Sequence, residues 1–151
     1  FVEGIFDLCQ YAQDMGYQLF VITNQAGIAK GYYSEDDFLL LTQWMKDEFI
    51  KQGIKIEDVY FCPHHPTEGN SPYVKHCKCR KPLPGMILKA QKKYKLDLGR
   101  SVFIGDKVSD IQAAEAAGIH NKILVASIYQ DDKQINAHRV NTVREAIPFI
   151  S

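Results

Sequence analysis

The sequence has no excess of either charge: 18 Lys and Arg stand against 18 Asp and Glu, a formal net charge of zero over 151 residues. That removes the electrostatic reason to expect nucleic acid or an anionic membrane as the main partner. No apolar run approaches the roughly 18–20 residues of a membrane span, and no signal-peptide pattern opens the sequence. Four cysteines at uneven spacing do not make the framework of a small disulfide-stapled secreted domain. Internal repeats, low-complexity tracts and linkers are also missing. These absences leave one ordinary globular domain spanning 1–151, 46% hydrophobic and 24% charged, long enough to bury a core without staples. Cytoplasm is the expected location.

What is present alternates helix with strand. "GIFDLCQYAQDMG" carries Ile5, Leu8, Ala12 and Met15 at helical spacing, with Gly16 as a stop. "QLFVITN" is a short apolar run with the look of a parallel strand buried on both faces. "SEDDFLLLTQWMKDEFIKQG" opens on Ser34 with Asp37 three residues on, a capping-box pattern, and puts Phe38, Leu41, Met45 and Phe49 on one side. "DVYFC" reads as the next strand. Pro84 opens a helix to about Lys95, "SVFIG" is a third strand, and "SDIQAAEAAG" is a helix capped by Ser109 and stopped by Gly118. "KILVAS" is a fourth strand, and a last helix covers "TVREAIPFI". The alternation predicts an α/β fold, a Rossmann-like parallel sheet with helices on both faces. In such sheets chemistry collects at the carboxyl ends of the strands, and "VITNQ" and "VFIGD" each end abruptly in polar side chains.

Three of the four cysteines and three of the five histidines fall in one stretch, "YFCPHHPTEGNSPYVKHCKCRKP". Cys62-x-His64 and Cys77-x-Cys79 form two pairs. Residues two apart on extended chain point to the same side, so each pair can offer two ligands to one ion. Four N/S ligands without a carboxylate suit tetrahedral zinc, and filling all four positions leaves none for substrate, which favours a structural ion. His65 or His76 could replace His64. The site, about residues 62–79, would fix the direction in which Arg80 and Lys81 leave the loop. Cys9, on the inner face of the first helix, reads as a core residue.

Three polar stations follow: Thr23-Asn24-Gln25 after one strand, Arg80-Lys81 after the cysteine loop, and Asp106 with Asp110 after another strand. A hydroxyl and a lysine that neutralise phosphoryl oxygens, beside carboxylates that hold magnesium, form a coherent set for phosphoryl transfer.

On these residues the sequence resembles the haloacid dehalogenase (HAD) superfamily of aspartyl phosphatases: "VITN" is similar to its second motif, Lys81 to its third and "GDKVSD" to its fourth. "TNQAGIAKGYY", "CPHHP", "CKCRKPLPGM" and "IGDKVSDIQAAEAAG" resemble the branch of D-glycero-D-manno-heptose-1,7-bisphosphate 7-phosphatases, with the histidinol-phosphatase branch as neighbour. The resemblance implies a HAD fold with a zinc loop and no large cap domain. It implies that Thr23 and Lys81 stabilise the transferring phosphoryl group, and that Asn24, Gln25 and Ala26 line the substrate pocket. Arg80 would recognise the far end of the substrate, with Lys107 also in contact. Asp106 would ligate Mg2+ with Asp110 in support, and Cys62, His64, Cys77 and Cys79 would bind Zn2+. The implied partner is a small-molecule sugar phosphate of lipopolysaccharide precursor synthesis, handled by a monomer.

The family's first motif, an Asp-x-Asp pair that supplies nucleophile and general acid/base, has no counterpart. Asp36-Asp37 and Asp131-Asp132 are adjacent pairs, and Asp7 lies inside the first helix. The expectation is therefore that the sequence begins inside a longer protein, with the absent strand lying between "LFVIT" and "SVFIG". The intact protein is expected to be active and these 151 residues alone inactive. Histidinol phosphate is the alternative substrate, and a catalytically inactive, zinc-stabilised sugar-phosphate-binding remnant the non-enzyme alternative. Arg80, poised for a second anionic group, favours the bisphosphate.

Overall fold

The computed structural model describes residues 1–128 and 134–151, so the Asp131-Asp132 pair lies outside the described residues. Among these residues five helices and five strands alternate broadly as expected, with α2 and β5 in addition: α1 (Ile5–Asp14), β1 (Leu19–Asn24), α2 (Ala26–Ala29), α3 (Glu35–Lys51), β2 (Ile56–Cys62), α4 (Gly85–Tyr94), β3 (Val102–Gly105), α5 (Val108–Ala117), β4 (Asn121–Val125) and β5 (His138–Val140). Short 3-10 segments cover Leu98–Arg100 and Arg144–Phe149. Among the described residues no helix is long and apolar enough to cross a membrane.

Every strand pair is parallel. β1 pairs with β2 in a register that ends at Asn24 opposite Cys62, and β3 pairs with β4 with Gly105 opposite Leu124, while β5 extends the far side of β4. The strands form two sheets, β1-β2 and β3-β4-β5. α1 and the C-terminal 3-10 segment pack on one cluster through Leu8, Ala12, Ala146 and Ile150. α4 and α5 pack on others through Ile87, Ala113 and Ala114, and through Met86 and Ala90. The two sheets share this packing. Leu19 of β1 and Val102 and Ile104 of β3 lie against the same cluster, and Ile22 and Phe103 lie together against another.

Four expectations are corrected. β1 is half-buried at every position rather than buried on both faces, because one of its edges has no ladder partner among the described residues; β3 is half-buried for the same reason. The last helix is a 3-10 segment containing Pro148, whose missing N–H and ring disfavour α-helical bonding. α5 begins at Val108 rather than on a Ser109 cap, since the Asp110 carboxylate reaches back to accept the Asp106 and Lys107 N–H groups at 3.1 Å each. On α3, Phe38 and Phe49 are buried while Leu41 is exposed. The Ser34–Asp37 capping box is present in both directions, at 3.0 Å each.

Candidate functional site

β2 delivers Cys62 as its last residue, fully buried, and the chain turns at Pro63 to bring His64 beside it. After an excursion it returns Cys77 and Cys79 to the same point. The four ligand atoms all lie within 4.8 Å of one another. His64 Nδ1 stands 3.3 Å from Cys79 Sγ and 3.7 Å from Cys62 Sγ, and Cys62 and Cys77 are 3.5 Å apart. No disulfide links them. Zinc–sulfur bonds of 2.3 Å in a tetrahedron set sulfurs about 3.8 Å apart; the Cys62–Cys77 and Cys77–Cys79 separations of 3.5 and 3.4 Å come near this, and Cys62 and Cys79, 2.6 Å apart, would have to spread to take a single ion between them. Burial holds the His64 pKa below its ordinary value, which keeps the imidazole neutral and able to ligate. Burial also pushes the Cys62 and Cys79 thiols up, so proton release would have to accompany metal binding.

The neighbouring histidines do other work. His65 Nδ1 accepts the Thr67 and Glu68 N–H groups at 3.2 and 2.9 Å, closing a turn, and His76 is exposed outside the cluster. The loop is also bolted to the body: Asn70 N–H donates to the Ala29 carbonyl at 2.7 Å, and the Tyr73 hydroxyl donates to Glu35 at 2.6 Å. Its exit is set by Arg80, whose guanidinium donates to the His64 carbonyl at 3.4 Å.

Lys81 follows and joins the two sheets. Its ammonium donates to the Ile22 carbonyl of β1 at 3.3 Å and to the Asp110 carboxylate of α5. The pair is well enclosed, with side-chain exposures of 11% and 7%. Asp110 thus accepts from Lys81 and from two backbone N–H groups after β3. Gly105 makes this possible, because a Cβ there would meet the Asp110 carboxylate at 2.4 Å. Asn24 holds Lys81 from the other side. Its amide accepts the Lys81 N–H at 3.1 Å and donates to the Lys81 carbonyl at 3.4 Å, so its hydrogen bonds go to this backbone rather than into a pocket.

Thr23, at the end of β1, accepts from the Gln25 amide at 2.9 Å, and Gln25 in turn accepts from the Tyr33 hydroxyl. Ala26 starts the short α2 directly behind. Asp106 and Lys107 are exposed at the end of β3, and Ser127 donates to the Asp106 carbonyl at 2.9 Å. A cavity of about 50 Å³ lies beside Asp106, between Ser127, Arg139 and Asn141. Tyr33, Ser127 and Arg139 were not among the expected site residues. The bond from Tyr33 to Gln25 spans eight residues, and no motif spacing announces it. The arrangement offers a hydroxyl near the carboxyl end of β1, an enclosed ammonium that links β1 to α5, and an exposed carboxylate just after β3, groups of the kind that bind and neutralise an oxyanion.

Residues 78–146 match the model of the HAD-hydrolase-like family. Over its whole length the chain is 46% identical to a D-glycero-alpha-D-manno-heptose-1,7-bisphosphate 7-phosphatase of Burkholderia mallei, spanning 80% of that protein. It is 45% identical, over 83% of its length, to a D-glycero-beta-D-manno-heptose-1,7-bisphosphate 7-phosphatase of Yersinia pestis, of which it spans 66%. Its fold matches a HAD-like phosphatase of Mesorhizobium loti with a TM-score of 0.83 and 30% identity, covering 97% of this chain and 71% of that one. It also matches the D,D-heptose 1,7-bisphosphate phosphatase of B. bronchiseptica complexed with magnesium and phosphate, with a TM-score of 0.81 and 24% identity, over 97% and 81% of the two chains.

Proposed function

The chain belongs to the heptose-1,7-bisphosphate 7-phosphatase family of HAD-like hydrolases, and we propose that the intact protein removes one phosphate from a heptose bisphosphate in the cytoplasm. The observation that carries this reading is the position of Lys81, whose ammonium bridges the Ile22 carbonyl and the Asp110 carboxylate between the ends of β1 and β3. A cation held there, between the strand that carries Thr23 and the helix that follows Asp106, meets the charge of a transferring phosphoryl group without reorganising. Thr23 and Lys81 bind phosphoryl oxygens in this reading. Asn24 sets the Lys81 backbone, and Arg80 and Lys107 face the second phosphate and the sugar.

The donor sets support two ions. Cys62, His64, Cys77 and Cys79 suit a structural Zn2+. Asp106 offers one exposed carboxylate, and Mg2+ commonly takes one or two carboxylates, with water and phosphate oxygens for the rest. When bound it supplies positive charge to the phosphate oxygens. Asp110 is committed to Lys81 and to the loop after β3, so it holds the site in shape instead of ligating.

No Asp-x-Asp pair occurs among the 151 residues, so the attacking carboxylate is not assigned to any of them. In this reading it comes on a strand that pairs with the open edges of β1 and β3, forms an aspartyl-phosphate, and completes a single domain. The test is phosphate release by the intact protein with Mg2+ from heptose 1,7-bisphosphate against histidinol phosphate. A strong preference for the bisphosphate is expected. Equal turnover of both would overturn the substrate assignment, and turnover of neither would overturn the enzyme reading.

A further inference from the structure

Thr23 does not stand alone at the end of β1. Gln25 Nε2 lies 2.9 Å from its hydroxyl oxygen, and the other end of the same amide receives the Tyr33 hydroxyl. We propose that Tyr33 is a positioning residue for Thr23, acting through Gln25 to decide which way the Thr23 hydroxyl proton points. This rests on the reading of Thr23 as a phosphoryl-binding group.

Hydrogen-bond polarity sets the direction of this relay. An amide presents an acceptor at one end and two donors at the other, and a half-turn exchanges them at almost no steric cost. A phenol is a better donor than acceptor, because its oxygen lone pair is delocalised into the ring. Burial raises the Tyr33 pKa, so the hydroxyl keeps its proton. Tyr33 donating to Gln25 Oε1 leaves Nε2 to face Thr23. Thr23 Oγ1 can only accept from that amide, and its own proton is left for another acceptor. Among the described residues that proton reaches the Asn24 carbonyl, at a long 3.4 Å. A phosphoryl oxygen at the strand end would be a far stronger acceptor. With the amide turned over, Oε1 would take the Thr23 proton and compete with the phosphate.

The surroundings hold this relay in register. The Gln25 backbone N–H donates to the Cys62 carbonyl at 2.7 Å, which ties the residue's main chain to the end of β2. The Tyr33 ring lies directly on Gly27, where a Cβ would come within 2.5 Å of the ring. Sequence spacing contributes as well, since "NQAGIAKGYY" returns Tyr33 over Gly27 after the single short helix α2.

The experiment is a double-mutant cycle read by calorimetric titration of the Mg2+-loaded protein with inorganic phosphate. Thr23→Val is expected to weaken phosphate binding by roughly tenfold or more, the range for a hydrogen bond to a charged group. Tyr33→Phe removes only the hydroxyl and keeps the ring on Gly27. It is expected to weaken binding by roughly three- to tenfold, and to shift the Gln25 side-chain amide resonances. In the T23V background Tyr33→Phe is expected to add no further loss, which a purely structural role could not produce. Wild-type affinity in Y33F, or the same loss in both backgrounds, would overturn the positioning role while leaving Thr23 in place. A T23V protein that binds phosphate normally would overturn the phosphoryl reading of Thr23, and the relay with it.

Discussion

Residues 62–79, which leave the end of β2, and the strand ends around Thr23 and Asp106 are both polar, yet their side chains are held by different means. In the first, four candidate ligand atoms converge within 4.8 Å, and Cys62, Cys77 and Cys79 pack beside Tyr60, Met86 and Ala90. In the second, no metal cluster forms among the described residues. Instead one ammonium and one carboxylate, 11% and 7% exposed, tie three chain segments together through Lys81, Asp110 and the Ile22 carbonyl. An ion can organise a polar loop, whereas a charge pair can do so only where the strands already exclude water. The two are coupled in series: the metal loop ends at Cys79, and Arg80 and Lys81 come next.

Removing the ion is the largest test of that contrast. A ligand that binds only the folded state at a thousandfold excess over its Kd stabilises by about 4 kcal/mol. Chelation, or Cys77→Ser, is expected to cost about that much in urea unfolding and to lower phosphate affinity, because Arg80 and Lys81 lose their fixed exit from the loop. Unchanged unfolding on chelation, with no metal found by elemental analysis, would end the metal-centre assignment.

Asp110→Ala attacks the second region and is the next largest effect. It strands the enclosed Lys81 ammonium and takes the acceptor from the Asp106 and Lys107 N–H groups. Breaking one side of an enclosed pair costs about 3–5 kcal/mol. Asp110→Asn keeps an acceptor for the backbone and should recover part of that loss. In both variants the metal content is expected to stay at the wild-type level, since no ligand is touched. Loss of metal together with stability would mean that the two regions are one cooperative unit.

The same contrast explains what the sequence made legible. The convergence of Cys62, His64, Cys77 and Cys79 was readable because they come in pairs two residues apart, and the strand–helix order was readable because the apolar runs are regular. The bonds between Asn24 and the Lys81 backbone were not, since Lys81 is 57 residues away and only the folded chain brings the two together. Ser109 looked like a helix cap, but the carboxylate of Asp110 reaches further back and starts the helix earlier. β5, the three residues His138–Val140, is too short and polar to signal a strand. The half-burial of β1 was also missed, because burial depends on which strands lie beside it and apolar composition does not carry that information.

Gly69→Ala is the smallest of these changes and separates the docking of the metal loop from its ion. Gly69 has φ +119°, a conformation that strains an L side chain, and a Cβ there would meet the Ala29 carbonyl at 2.2 Å. That carbonyl accepts the Asn70 N–H at 2.7 Å, the bond that seats the loop tip on α2. The substitution should therefore lift the tip without touching Cys62, His64, Cys77 or Cys79. A loss of about 1–3 kcal/mol is expected from strain and the displaced hydrogen bond, with metal content unchanged. If the ion alone fixes the exit of Arg80 and Lys81, phosphate affinity measured by titration will stay within twofold of wild type, on the order of 0.4 kcal/mol. A larger fall would show that the tip, resting on the short helix between Gln25 and Tyr33, also holds the phosphate corner in place.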